Sequence, residues 1–202
     1  MTRPITLEGF EQTFTDNADP WRTFHARDEA HKRVAILHAL GARPLGRVLE
    51  LASGNGSNSV ALAARALRLD ATEGTATGTR LTADALSRQK RALASTLVLP
   101  GRFPRTVYDA IVVAELLYYL SPRRMRRVAR DVAMALRPGG VLVLAHHRID
   151  FHDFAQHAAG IHQRFLAATG LGSRKLRGLR SRRWRVEAFG LSGARAKGHL
   201  GE

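Results

Sequence analysis

The stretch 46–67 constrains the fold most. There a short apolar run, GRVLELA, passes through a polar turn bearing Gly54 and Gly56 into VALAARAL. An apolar run of that length suits a buried strand, and the segment beyond the turn has helical spacing. A strand that enters a helix through a glycine turn is the unit from which parallel sheets are assembled. The alternation repeats along the chain. ALRLDATEG reads as a second strand ending at Glu73, followed by a helix over about 79–93. YDAIVVAEL is a strong strand over 108–116, and a basic helix follows over 122–136. Pro138-Gly139-Gly140 then turns into VLVLAHHR, another buried strand. Upstream, a helix over 28–40 carries Ala30, Val34, Leu37 and Leu40 at helical spacing, and Gly41 ends it. Downstream, DFAQHAAGIHQRFLAATG reads as an amphipathic helix with Phe154, Ala158, Ile161 and Phe165 on one stripe, and RVEAFGL as the last strand. The fold class expected is α/β, a mostly parallel central sheet with helices on both faces. The expected organisation is one domain over 1–190 with an N-terminal segment over 1–27, and a flexible tail over 191–202.

Composition narrows the class further. With 202 residues, 45% of them apolar, the chain suits one domain with a real core. No run approaches the ~20 apolar residues of a membrane span, and MTRPITLEGFEQTF lacks the apolar stretch of a signal peptide. A cytoplasmic protein is expected. The absence of cysteine excludes disulfides, thiolate metal sites and a covalent cysteine mechanism. His152, His157 and His162 do not form a metal site if helical, since five-residue steps turn by roughly 140° each. Lys and Arg number 32 against 17 Asp and Glu, a net charge of +15. Much of it sits in 121–137 and in SRKLRGLRSRRWR, 173–185. Such a patch either decorates a solvated face or holds phosphates with a steep salt dependence. Trp184 is its only aromatic, so it offers little for stacking bases.

The chemistry is concentrated around the glycine turn. Glycine lets the backbone approach a ligand closely, and the helix beyond it offers free N–H groups. Glu73 closes the next strand 23 positions after Glu50. In nucleotide-binding α/β folds an acid at about that distance accepts hydrogen bonds from ribose hydroxyls. ELASGNGSN resembles motif I of the class I S-adenosylmethionine-dependent methyltransferases, while DAIVVAELLYYL and LRPGGVLVLAHHR resemble their strand-four motif and fifth strand. More narrowly, DPWRTF, AELLYYL and the His-His-Arg after the fifth strand resemble the nodulation protein S type of small-molecule N-methyltransferase. The general resemblance spans about 16–166 and implies a Rossmann-like fold and S-adenosyl-L-methionine as cofactor. It also implies residue roles. Glu50 would orient the turn and contact the amino-acid end of the cofactor, with Ala52, Gly54 and Gly56 along its methionine moiety. Glu73 would hold the ribose diol. Ala114, Glu115 and Leu116 would lie beside the sulfonium, and Trp21 would belong to a lid. Tyr118, Tyr119, His146 and His147 would face the acceptor.

Two departures stand out. Ala52 occupies the first motif glycine, adding a methyl group, and 93–102 has no acid where relatives place one against adenine. Adenine recognition then falls to backbone groups near Thr96 and Leu97.

Adjacent strand residues face opposite sides, so one of His146 and His147 reaches the acceptor, and His146 is the residue expected to act as base. Tyr119 is the second expected catalytic group, Tyr118, His147 and His162 the substrate-binding set, and one of the two tyrosines is an ordinary packing aromatic. The sequence AELLYY lacks the Asn/Asp-Pro-Pro-Tyr/Phe pattern that methylates base amines and glutamine. The expected acceptor is a small molecule, an amine such as an amino sugar. The alternatives are an RNA methyltransferase using the basic 173–185 patch, or a nucleic-acid-binding protein with a degenerate cofactor fold. No membrane partner is expected.

Overall fold

The computed structural model describes residues 4–193. Seven strands form one sheet in the order β3-β2-β1-β4-β5-β7-β6. They are β1 (Leu45–Leu51), β2 (Ala66–Glu73), β3 (Ala92–Thr96), β4 (Tyr108–Ala114), β5 (Leu136–His147), β6 (Gly172–Arg180) and β7 (Trp184–Ser192). β1 to β5 are parallel to one another, while β7 pairs antiparallel with both β5 and β6. The chain runs outward from β1 through β2 to β3, then crosses back to β4. β1 and β4 therefore flank a switch point, and ligands in such sheets bind beyond the carboxyl ends of the strands there.

Period-two alternation sorts the strand residues between two cores. Leu49, Leu51, Ile111, Val113, Leu142 and Leu144 face α5 (Pro122–Ala135) and α6 (Ile161–Ala168). Val48, Ala110, Val112, Ala114, Val143 and Ala145 face α2 (Arg27–Leu40). α5 shows the helical counterpart of the pattern. Met125, Val128, Ala129 and Val132 form a buried stripe, while Arg123, Arg126, Arg127 and Arg130 point to water. Ser121 caps α5 by accepting from Arg124 N, and Pro122 sits in its first turn. The remaining helices are α1 (Leu7–Asp16), α3 (Ser57–Ala63) and α4 (Ala76–Ala85).

Some elements differ from their sequence reading. α2 buries Lys32, Ala35, Ile36, Ala39 and Leu40, whereas Val34 is 64% exposed. The stripe read from Ala30, Val34, Leu37 and Leu40 is therefore rotated from the true buried face, which takes in Lys32. The helix expected over 153–170 is confined to α6, because 151–160 is a run of turns that ends with Gly160 at φ 69°. His157 there pairs with Asp150 at 2.7 Å. The tail expected over 191–202 overlaps β7, which runs to Ser192, and its part beyond 193 lies outside the described residues.

Candidate functional site

The turn between β1 and α3 is built for close approach. Gly54 and Gly56 have φ of 61° and 84°, where side chains are disfavoured, and Ala52 has φ 56°. A Cβ on Gly56 would lie 3.0 Å from both Thr82 Cα and Ala85 Cβ. Beside this turn, at the carboxyl ends of β1 and β4, a cavity of about 1120 Å³ opens. Pockets for single drug-sized ligands run to about 300–1,000 Å³, so this one has room for a nucleoside cofactor and a second molecule.

One end of the cavity has the donor set of a nucleoside site. Glu73 Oε2 accepts from Gly54 N at 3.0 Å, and Glu73 Oε1 accepts from Thr75 N and Thr75 Oγ1, each at 3.0 Å. These bonds aim the carboxylate into the cavity, although burial raises its pKa. Leu97, Val98 and Leu99 supply an apolar wall, and Ser53, Gly54 and Asn55 a polar one. An acid for a diol, apolar surface for a base and a glycine turn open to close approach fit S-adenosylmethionine. Of the residues expected at the cofactor, Trp21, Ala52, Gly54, Glu73, Ala114, Glu115 and Leu116 line the cavity. Glu50 and Gly56 do not. Glu50 is 1% exposed behind the turn, where Ser59 Oγ donates to it at 2.5 Å and burial pushes its pKa up to about 7.

The other end is aromatic and charged. Glu115 has φ 50°, and its carboxylate receives Lys32 Nζ at 2.7 Å and faces His147 Nδ1 at 2.7 Å. Lys32 is 1% exposed and also pairs with Glu29 at 2.8 Å. Burial alone would raise the Glu115 carboxyl, but Lys32 and the His147 hydrogen bond outweigh it and hold it at about 2. Tyr119 meets Phe10 edge-on at 4.9 Å, and its hydroxyl pKa is raised by burial and by Asp153. Tyr118, 1% exposed, stacks on Phe154 at 3.7 Å and also touches the cavity.

The two adjacent histidines exchange their expected places. His147 lines the cavity, whereas His146, expected there as a base, is 1% exposed and does not. The pleat explains the exchange. Leu142 and Leu144 face α5 and α6, so His146 follows them to that side, and His147 follows Val143 and Ala145 toward α2. His162, expected at the substrate, lies with His146 away from this cavity, 3.1 Å from its ring.

Sequence reasoning missed Lys32, whose only signal was a lysine on the face of α2 that also bears Ala35, Ile36 and Ala39. It also missed Asp19. Asp19 Oδ1 accepts from Thr23 N, Thr23 Oγ1 and Asn55 Nδ2 at 2.6–2.9 Å, which ties the segment after α1 to the glycine turn. Of the basic 173–185 patch, only Arg183 reaches the cavity.

Residues 10–185 match the family described as Nodulation protein S (NodS). The structure of the N-methyltransferase NodS from Bradyrhizobium japonicum WM9, in complex with S-adenosyl-L-homocysteine, superposes with a TM-score of 0.76 at 19% identity. That match covers 91% of this chain and 99% of that one. A putative methyltransferase from Pseudomonas syringae gives 0.71 at 25% identity over 82% of this chain and 99% of its own. The DhpI complex with S-adenosylhomocysteine gives 0.69 at 19% over 93% and 96%. No curated protein sequence matches the chain.

Proposed function

We propose a small-molecule amine as the methyl acceptor, from one premise: the chain belongs to the nodulation protein S family and is an S-adenosylmethionine-dependent methyltransferase. The observation that carries the proposal is the Lys32–Glu115–His147 cluster on the wall of the cavity. A protonated amine has no lone pair with which to attack, so an N-methyltransferase has to remove a proton before transfer. His147 is the group suited to take it. Glu115 stays ionised beside Lys32 and accepts from His147 Nδ1–H, which leaves the Nε2 lone pair as the ring's base. Glu115 orients the ring and stabilises the imidazolium that forms.

The cofactor, held by Glu73, the backbone around Gly54 and the wall of Leu97–Leu99, supplies an electrophilic methyl group when bound. Tyr119 and the exposed face of Phe151 flank the acceptor, and Trp21 covers the cofactor end. The chain's own contribution is to hold the neutral amine in line with that methyl group and to exclude water. Such positioning lowers a barrier by roughly 7–11 kcal/mol, more than the base supplies.

Two measurements test this reading. Calorimetric titration of S-adenosylhomocysteine is expected to show micromolar binding in the wild type and its loss in Glu73→Ala. Methyl transfer is then assayed on primary amines, glucosamine among them, against matched alcohols. Transfer to amines that falls about 10²–10⁴-fold in His147→Ala, with cofactor binding retained, supports the assignment. Transfer to the alcohols alone overturns it.

A further inference from the structure

His146 Nε2 lies 3.3 Å from Leu116 N and 3.2 Å from Leu117 N. A backbone N–H only donates, so Nε2 holds the lone pair and the proton of the neutral ring sits on Nδ1. That Nδ1 lies 3.1 Å from His162 Nε2, which must accept. The proton of His162 is then on its own Nδ1, 2.8 Å from Glu187 Oε2. Lys175 Nζ ends the chain 2.6 Å from Glu187 Oε1. With both rings neutral, one tautomer assignment satisfies every link, and it joins the turn after β4 to β5, α6, β7 and β6.

The turn held by this chain carries the proposed active carboxylate. Glu115 sits in the left-handed region, a conformation that a non-glycine residue keeps only when its surroundings over-determine it. Its own N–H donates to Ala145 O at 2.9 Å, and the next two N–H groups both go to His146. Without that acceptor two buried donors would lose their partner, and the turn would relax toward a conformation that satisfies them.

We propose that His146, His162 and Glu187 are positioning residues, a chain of fixed tautomers that holds the Glu115 turn so that its carboxylate orients His147. The inference rests on the reading of His147 as the base. It also gives the buried histidine pair a role: protonating either ring would set N–H against N–H and break the chain. The charged and titratable groups around the pair are Glu115 and Tyr118 on the turn, Lys32 on α2, His147 on β5, Arg185 and Glu187 on β7, and Lys175 on β6 beyond Glu187. Burial and the mutual repulsion of the two rings keep His146 neutral well below the usual histidine range.

The test is nitrogen-15 magnetic resonance of the histidine rings, which reads tautomers without an acceptor. In the wild type at neutral pH, His146, His162 and His147 are all expected as Nδ1–H tautomers. In His162→Phe, His147 is expected to shift to a mixture of tautomers while S-adenosylhomocysteine still binds. In Glu187→Gln the amide oxygen still accepts from His162, and the wild-type pattern is expected to survive. Should His162→Phe fail to fold, Glu187→Leu removes the outer acceptor and carries the same test. An Nε2–H tautomer at His146 or His162 in the wild type overturns the inference. So does an undisturbed His147 in the variants that break the chain. Failure of the functional reading appears elsewhere, as full methyl transfer in His147→Ala.

Discussion

Ala52 stands at φ 56° in the turn that approaches the cofactor, where glycine would be unstrained. A single L-residue in the left-handed region costs roughly 1–2 kcal/mol. Replacing alanine by glycine also loosens the unfolded chain, which offsets about 0.4–1 kcal/mol of the relief. Ala52→Gly is therefore expected to raise stability by about 0–1.6 kcal/mol in urea denaturation. Because Ala52 lines the cavity, the variant is also expected to bind S-adenosylhomocysteine at least as tightly as the wild type. Weaker binding would mean that the methyl group makes a contact the cofactor uses.

Between elements, the decisive contacts join α1 and the segment after it to the body of the sheet. Glu11 of α1 accepts from Thr77 N and Thr77 Oγ1, satisfying a free donor in the first turn of α4. Asp19 joins Thr23 to Asn55. Asp19→Ala removes a charged acceptor from four donors, so S-adenosylhomocysteine affinity is expected to fall by about tenfold with the thermal midpoint little changed. Glu11→Gln, which keeps an acceptor for Thr77, is expected to be milder. An Asp19→Ala protein with wild-type affinity would show that this segment does not cover the cofactor. The links from Glu11 to Thr77 and from Asp19 to Asn55 were not legible in the sequence, since they join residues 66 and 36 positions apart. β1, β4 and β5 were legible because they are buried on both faces and read as apolar runs. β6 was not, since GSRKLRGLR is almost wholly exposed and is a strand only through its pairing with β7. At the site, Glu73 and the glycine turn lie within one local motif and could be read, whereas Lys32 and the choice between His146 and His147 depend on how α2 and α6 pack against the sheet.

Over the whole molecule, buried titratable groups set opposing dependences of stability on pH. Glu50 has its carboxyl raised from 4.5 to about 7 by burial, so the folded state binds its proton more tightly than the unfolded state does. Its contribution is therefore greatest below pH 4.5 and declines as pH rises toward 7, by at most about 1.4 kcal/mol per unit. His146 and His162 act in the other direction. Both titrate lower in the fold than 6.5, so their burial costs stability in acid and that cost disappears as pH rises past 6.5. These slopes oppose one another between about pH 5 and 7, and the wild type is expected to be nearly flat there. Below that window Glu115 and Glu187, both held at about 2, lose their ion pairs as pH falls from 4.5 toward 2. The chain already carries a formal +15 and would then unfold under its own repulsion. Glu50→Gln separates the opposing slopes, because the amide keeps an acceptor for Ser59 but does not titrate. Its stability, followed by urea denaturation, is expected to rise from pH 5 to 7 while that of the wild type does not. Parallel curves for the two proteins would mean that Glu50 stays ionised in the fold.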